Sequence, residues 1–170
     1  PYINGSPQPV QQFSAVNIGI QDLITQFKHY ANYNYTVNSA NLTGMDWGSP
    51  IPGATPENAS TCNAKNVVYI DTQSTFVRLD GMSHGCGMLL VNGDLAVHGG
   101  FHWYGVVLVT GSVTFTGGGE KNVTGAMLVG GTASADLVGG DASIVYCSRA
   151  IYDDSRYLPL ITLRWVELFS

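Results

Sequence analysis

A chain of 170 residues is long enough to bury one hydrophobic core and too short for two independent ones. Only 11% of the residues are charged and 21 are Gly, a composition that excludes coiled coils, charged helical bundles and charged disordered tails. With a net charge of -5 and only seven Lys and Arg, the chain has no basic patch for phosphates, so nucleic acid is not an expected partner.

The sequence has no run of 18 apolar residues, no signal-peptide pattern and no initiator Met before Pro1. We therefore expect a processed or truncated product. Three cysteines in a chain rich in Gly, Ser, Thr and Asn are typical of an exported protein with at most one internal disulfide.

The first 65 residues contain one helix signal. Apolar residues recur there at three- and four-residue spacing: Ile20, Leu23, Ile24, Phe27 and Ala31. This spacing predicts an amphipathic helix over residues 18–32. Residues 33–64 are mostly Asn, Thr, Gly, Pro and Ser with isolated aromatics, which predicts a long ordered loop.

The chain repeats itself between residues 66 and 148. Three stretches align almost without gaps: 88–93 (Met-Leu-Leu-Val-Asn-Gly), 106–111 (Val-Val-Leu-Val-Thr-Gly) and 126–131 (Ala-Met-Leu-Val-Gly-Gly). A looser copy precedes them at 67–71, and the three starts are 18 and 20 residues apart. After each copy a second and a third short strand follow, separated by glycines.

Strands this short cannot form useful hairpins, but three of them can form one coil of a parallel β-solenoid, with coils stacked about 4.8 Å apart. Glycine suits the corners, because a corner needs positive φ or a close backbone approach. The sequence therefore predicts one mainly β domain over residues 1–170, with solenoid repeats at 66–150 and three strands in each coil.

The first strand of each repeat is apolar at every position, whereas the second strand alternates, as in 94–98. A continuous apolar run is typical of a sheet covered on both faces. We expect the helix at 18–32 to pack across the first-strand sheet, with residues 1–65 covering the solenoid. The segment 158–169 has strand propensity, so we expect residues 151–170 to cap an edge or end.

Four side chains are of the types that bind transition metals: His84, His98, His102 and Cys86. His98 and His102 fall on different strands of one coil, and His84 lies in the connection before that coil. This separation favours ordinary polar residues at the surface and at corners, and we predict no metal and no cofactor.

A second candidate site is a carbohydrate-binding surface formed by Trp47, Trp103 and Tyr104 with the neighbouring His102. Aromatic faces beside polar groups on a flat solenoid side suit the stacking of sugars.

Glycoside cleavage requires two placed carboxylates. The acidic residues of the repeats, Asp71, Asp80, Asp94 and Asp141, fall mostly at turns, where Asp usually bonds its own backbone. We therefore predict no catalytic residue and no enzymatic activity.

The positions of the cysteines in the repeat predict one disulfide. Cys62 lies five residues before the first-strand copy at Val67, and Cys86 lies two residues before the copy at Met88, so the two are candidates for neighbours one coil apart. Cys147 follows the last repeat, two or more coils away, about 10 Å or more from Cys86 and too far for a bond.

The run from Gly87 to Ile151, including Met-Leu-Leu-Val-Asn-Gly-Asp-Leu-Ala-Val-His-Gly and Tyr-Gly-Val-Val-Leu-Val-Thr-Gly-Ser-Val-Thr-Phe-Thr-Gly-Gly-Gly, resembles the C-terminal domain of bacterial PilX-type type IV pilus assembly proteins. The ending at 158–169 is also similar to how those proteins finish. The resemblance implies a surface or envelope protein, located at the cell envelope or outside the cell.

The same resemblance implies that the full-length form begins with an apolar pilin-like helix, which would be its only contact with the membrane. It implies no catalytic motif, and it implies other pilin or pilus-assembly subunits as partners. We therefore expect a structural and adhesive minor pilin-like ectodomain. The alternative is a solenoid that binds or cleaves polysaccharides, with surface glycans as its partners.

Overall fold

The computed structural model describes residues 19–49, 64–136 and 140–155, together with Cys62 and the short stretches 2–3 and 6–7. The elements in chain order are β1 (Tyr2–Ile3), β2 (Ser6–Pro7), α1 (Ile20–Phe27), a 3-10 helix (Lys28–Tyr30), β3 (Tyr33–Thr36), β4 (Ala40–Thr43), β5 (Asp46–Trp47), β6 (Asn66–Asp80), β7 (Ser83–His98), β8 (Phe101–Val109), β9 (Val113–Thr116), β10 (Lys121–Val129), β11 (Ala133–Asp136), β12 (Ala142–Tyr146) and α2 (Ser148–Ser155). Strands β1 and β2 pair antiparallel.

The remaining strands wind into a parallel β-solenoid of about four turns, which confirms the predicted fold class. We name its three sheets by their order within a turn. Sheet A has rungs at 33–36, 67–71, 88–92, 106–109 and 126–129; sheet B at 40–43, 76–80, 94–98, 113–116 and 133–136; and sheet C at 46–47, 83–87, 101–105, 121–125 and 142–146. The long strands β6 and β7 continue around a corner from one sheet into the next.

The first turn begins earlier than the sequence predicted. Residues 33–47 form β3, β4 and β5, which pair in parallel with β6 and β7, so the prediction of a loop over 33–64 is wrong for this part. Two features explain why the sequence did not predict this turn. As a terminal rung it is less apolar than the repeats, and its corner between sheets A and B uses Ser39 at φ 51°, where the repeat that begins at Met88 uses Gly93 at φ 127°.

A column of stacked glycines forms the corner between sheets C and A. Gly87, Gly105 and Gly125 occupy the same position on successive rungs, with φ of 109°, 130° and 142°. A Cβ atom on Gly125 would overlap the carbonyl oxygen of Gly105. The corner therefore needs glycine for its backbone conformation and also because the rungs approach closely.

Helix α1 packs against the outside of sheet A, as its apolar stripe predicted. Ile24 is 1% exposed and forms a buried cluster with Met88, Leu90 and Leu108. The helix is shorter than the predicted 18–32, because it ends at Phe27 and continues only as the 3-10 turn. This packing explains why the sheet A strands are apolar on both faces.

The solenoid ends at β12, and α2 follows at once. Helix α2 packs beside β8 and β10 on the outside of sheet C, so residues 151–155, the part of the predicted cap that the structure describes, are helical. The rest of the predicted cap, from residue 156 onward, lies outside the described residues. Neither α1 nor α2, the two α-helices in the described ranges, is long and apolar enough to cross a membrane.

Candidate functional site

The predicted aromatic surface lies inside the solenoid. Trp47 and Trp103 point inward from sheet C, and each is only 1% exposed. They stand on either side of Gly85 in one register column, with their ring centroids 6.1 Å apart. A Cβ atom on Gly85 would overlap the Trp103 ring, so the glycine provides the space that the indole fills.

Both indole nitrogens are satisfied within the protein. Trp47 Nε1 donates a hydrogen bond to the hydroxyl of Tyr35 at 3.1 Å, and Trp103 Nε1 donates to the carbonyl of Gly87 at 3.0 Å. Buried polar groups with such partners stabilise a unique core, and these indoles present no face to a ligand.

The other two residues of the predicted surface point outward from sheet C, but they differ in cover. Tyr104 is buried because α2 crosses over it, placing Ala150 against the cluster that also contains Cys86 and Cys147. His102 alone remains partly exposed. The prediction of a carbohydrate surface at these four residues is therefore wrong, since three of them are inaccessible.

The histidines separate into two groups. On sheet C, Asp46, His84, His102 and Asn122 occupy the same position on successive rungs and form a polar column. His84 Nε2 lies 3.2 Å from a carboxylate oxygen of Asp46, and the amide nitrogen of Asn122 lies 3.4 Å from His102 Nδ1.

His98 lies on sheet B, where its Nδ1 is 3.1 Å from a carboxylate oxygen of Asp80. The fourth candidate ligand, Cys86, is bonded to Cys62 and has no thiolate to offer. Within the described ranges, no group of three or more His, Cys, Asp or Glu side chains could hold a metal ion.

The disulfide joins Cys62 to Cys86, the pair that the repeat positions predicted, with the Cα atoms 6.3 Å apart. Cys86 stands on the outer side of sheet C, so the bond attaches the segment before β6 to this face. Cys147 is buried in the same cluster but takes no part in the disulfide.

Three acidic residues of the repeats, Asp71, Asp80 and Asp94, bind groups of the solenoid itself. A carboxylate oxygen of Asp71 accepts the backbone N–H of Gln73 at 3.0 Å, and one of Asp94 accepts that of Ser112 at 2.7 Å. Asp80 also binds Nε of Arg78 at 2.9 Å. Asp71 thus makes the local turn contact expected of Asp after a strand, whereas Asp94 binds the next rung and Asp80 binds side chains.

One buried charge was missed by the sequence reasoning. Lys121 is 1% exposed at the start of β10, and its ammonium donates to the carbonyls of Gly117, Gly118 and Gly119 at 3.0, 2.8 and 3.0 Å. Three acceptors satisfy all three donors of the ammonium. The signal available in the sequence was the run of three glycines that ends two residues before Lys121, because such a run can form a tight loop that directs three carbonyls at one point.

The outer face of sheet B is mostly polar, and none of the described elements covers it. We call it the B face. Its outward side chains are Asn41, Thr43, Phe76, Arg78, Asp80, Asp94, Ala96, His98, Thr114, Thr116 and Ser134. Apart from Phe76 and Ala96 these side chains are polar, and they stand in columns with a spacing of about 4.8 Å along the solenoid axis.

Comparison with known proteins identifies no relative: no protein-family model, no curated protein and no solved structure matches the chain.

Proposed function

We propose that this chain is a structural and adhesive module, the surface-exposed ectodomain of a minor pilin-like protein associated with type IV pili. The ordered series of motifs between Gly87 and Ile151 supports the assignment, since it resembles PilX-type assembly proteins. In this proposal the chain acts through contacts with other pilin or pilus-assembly subunits, at the cell envelope or outside the cell.

The observation that carries the proposal is the flat, uncovered B face. A parallel sheet whose outward side chains are mostly polar, with Phe76 exposed among them, gives a rigid surface that suits docking against another subunit. Thr114 and Thr116 lie in the middle of this plane, while the carboxylates nearby are occupied by turn and ion-pair contacts.

Complementation in the native host tests the assembly role. Deleting the gene should reduce the number of pili or their adhesion, and the wild-type gene should restore both. Thr114→Arg places a long charged side chain on the B face and should fail to restore them. Thr25→Arg, a matched change on the exposed side of α1, should succeed. Normal pili and adhesion in the deletion strain would contradict the proposal.

A second candidate function is binding or cleavage of polysaccharide. Arg78, Asp80 and His98 form a connected polar cluster on the B face, and regularly spaced hydrogen-bonding groups match a repeating polymer. Because Trp47 and Trp103 are buried, they offer no aromatic surface on which a sugar could stack, and this counts against the alternative. A glycan array, read with wild type and Thr114→Arg, detects binding, and release of reducing sugar detects cleavage. Strong glycan binding without any pilus phenotype would favour this alternative.

A further inference from the structure

A shallow depression interrupts the B face at Ala96. This residue stands between Arg78 and Thr114 in one outward column, and between Asp94 and His98 along its own strand. Its methyl group is shorter than the four side chains around it, so it forms the floor and they form the walls. The Cα atoms of opposite walls are about 10 Å apart across the rungs and about 13 Å apart along the strand. We call this feature the Ala96 depression.

The walls of the depression are held in place by contacts within the protein. One carboxylate oxygen of Asp80 lies 2.9 Å from Nε of Arg78 and 3.1 Å from Nδ1 of His98. Because a carboxylate only accepts hydrogen bonds, the proton of this contact is on Nδ1 of His98. A carboxylate oxygen of Asp94 accepts the backbone N–H of Ser112 at 2.7 Å. Side chains ordered in this way lose little conformational entropy when a ligand binds.

These contacts leave part of each wall for a ligand. Within the described residues, no partner contacts the two terminal NH2 groups of Arg78, Nε2 of His98 or the second carboxylate oxygen of Asp94. The hydroxyl of Thr114 can both donate and accept. Donors and acceptors therefore surround a small apolar floor. This arrangement matches a sugar ring, whose hydroxyls both donate and accept, and a few placed polar groups are what fix a ligand in its site.

Phe76 supplies the aromatic surface that the buried tryptophans do not. It points outward from sheet B, two residues before Arg78 on the same strand and in register with Asp94 on the next rung. This position is one corner of the Ala96 depression. Phe76 is 39% exposed, so its ring is accessible to a ligand. The apolar CH groups of a sugar pack well against an aromatic side chain.

The charges at the depression favour a neutral sugar over an acidic one. Arg78 is the cation of the cluster, whereas Asp80 and Asp94 are both carboxylates. The net charge of the cluster is therefore negative when His98 is neutral, and the whole chain has a net charge of -5. A uronate or a phosphate would meet charge of its own sign, which disfavours binding.

We propose that the Ala96 depression binds one ring of a neutral pyranose oligosaccharide or polysaccharide. Phe76 packs against the CH groups of the ring, and Arg78, Asp94 and His98 bind its hydroxyls. The small side chain of Ala96 leaves the space that the ring occupies. This proposal rests on the second candidate function, which it narrows to the binding of neutral glycans at one defined site. It does not depend on the pilus role.

Titration of the full chain with hexasaccharides tests the choice of ligand. The neutral probes are cellohexaose, maltohexaose, mannohexaose and chitohexaose, and the acidic probe is hexagalacturonate. At least one neutral probe should bind and shift the amide NMR signals of residues 76–78, 94–98 and 114–116. Hexagalacturonate should bind at least about tenfold more weakly than that probe. Equal or tighter binding of hexagalacturonate overturns the proposal. Failure of all five probes to bind overturns it together with the second candidate function.

Two variants test the site with the neutral probe that binds most tightly. Ala96→Arg fills the depression from its floor and should weaken binding at least about tenfold. Phe76→Ala removes the aromatic ring and should weaken binding about three- to tenfold. Thr25→Arg adds the same charge on the exposed side of α1 and should bind as the wild type does. Both changes on sheet B lie on its solvent side, and amide NMR spectra report whether each variant is folded.

Binding that is unchanged in either folded variant, Ala96→Arg or Phe76→Ala, overturns the proposed site. Binding of the glycan elsewhere on the chain would then still support the second candidate function. The two failures are therefore distinguishable.

Discussion

The outer faces of sheets A and B belong to the same coils and have the same backbone spacing, but their surroundings differ. On sheet A, Met88, Leu90 and Leu108 lie beneath α1 in a second apolar cluster. On sheet B, the equivalent outward positions carry Thr114, Thr116 and their polar neighbours and are open to solvent. The comparison shows that one coil of the solenoid can bury the outer face of one sheet beneath a helix and leave the outer face of another sheet open to solvent.

The largest expected effect comes from placing a charge on each face in turn. Leu90→Asp puts an unpaired carboxylate beneath α1 and should lower the free energy of unfolding by about 4 kcal/mol or more. Thr114→Asp puts the same charge on the B face and should change the free energy of unfolding by less than about 0.5 kcal/mol. Urea denaturation measures both. Similar losses in the two variants would show that the B face is also covered.

The disulfide between Cys62 and Cys86 covers part of sheet C. Removing it tests how much this covalent cover stabilises the protein. Replacing both Cys62 and Cys86 by Ser removes a crosslink over a sequence separation of 24 residues and should cost about 3 kcal/mol. The measurement is chemical denaturation under oxidising conditions. Wild type with reductant serves as the control and should approach the double variant. An unchanged midpoint in both would refute a stabilising role for the disulfide.

A smaller change measures how closely α1 fits sheet A. Ile24→Val removes one methylene from the only fully buried position of the helix and should destabilise the protein by about 1 kcal/mol. Gln26→Ala, on the exposed side, is the matched control and should show no loss, since Ala favours helix. If the two variants are equally stable, α1 is not tightly packed on the sheet.

The smallest effect appears only at alkaline pH. The pKa of Tyr69 is raised above its usual value of about 10. The larger cause is burial of the hydroxyl at the edge of the α1 contact, and the smaller is the negative charge of Asp71. As pH rises, Tyr69 therefore loses its phenolic proton at a lower pH in the unfolded chain than in the folded protein. The contribution of the protonated Tyr69 to the free energy of unfolding is complete below pH 10 and is lost as pH rises through the folded pKa. Wild type should therefore lose stability relative to Tyr69→Phe above pH 10, while the difference stays constant from pH 7 to 9. A constant difference at all pH values would contradict this cause.

Part of the architecture could be predicted from the sequence, because each coil of the solenoid repeats a short pattern of residues. The spacing of copies at Met88, Val106 and Ala126 predicted coils, and their continuous apolar strands predicted the cover that α1 supplies. The offsets of Cys62 and Cys86 from their copies likewise predicted the disulfide that the structure contains.

The turn at 33–47 was missed for a physical reason. A terminal rung has a neighbour on one side only, so it buries less apolar surface and its sequence need not match the repeats. Tyr35 and Leu42 point inward there, but the polar residues around them resemble those of a loop.

Composition and periodicity determined the parallel coils, their glycine corners and the need for a cover on sheet A, because each of these depends on residues close together in sequence. Only the tertiary structure decided which aromatic rings are accessible. Trp103 fits inside because Gly85 lies opposite it on the next rung, and Tyr104 is hidden because α2 crosses over it. Both outcomes depend on register between turns and on packing between distant segments, which local sequence does not specify.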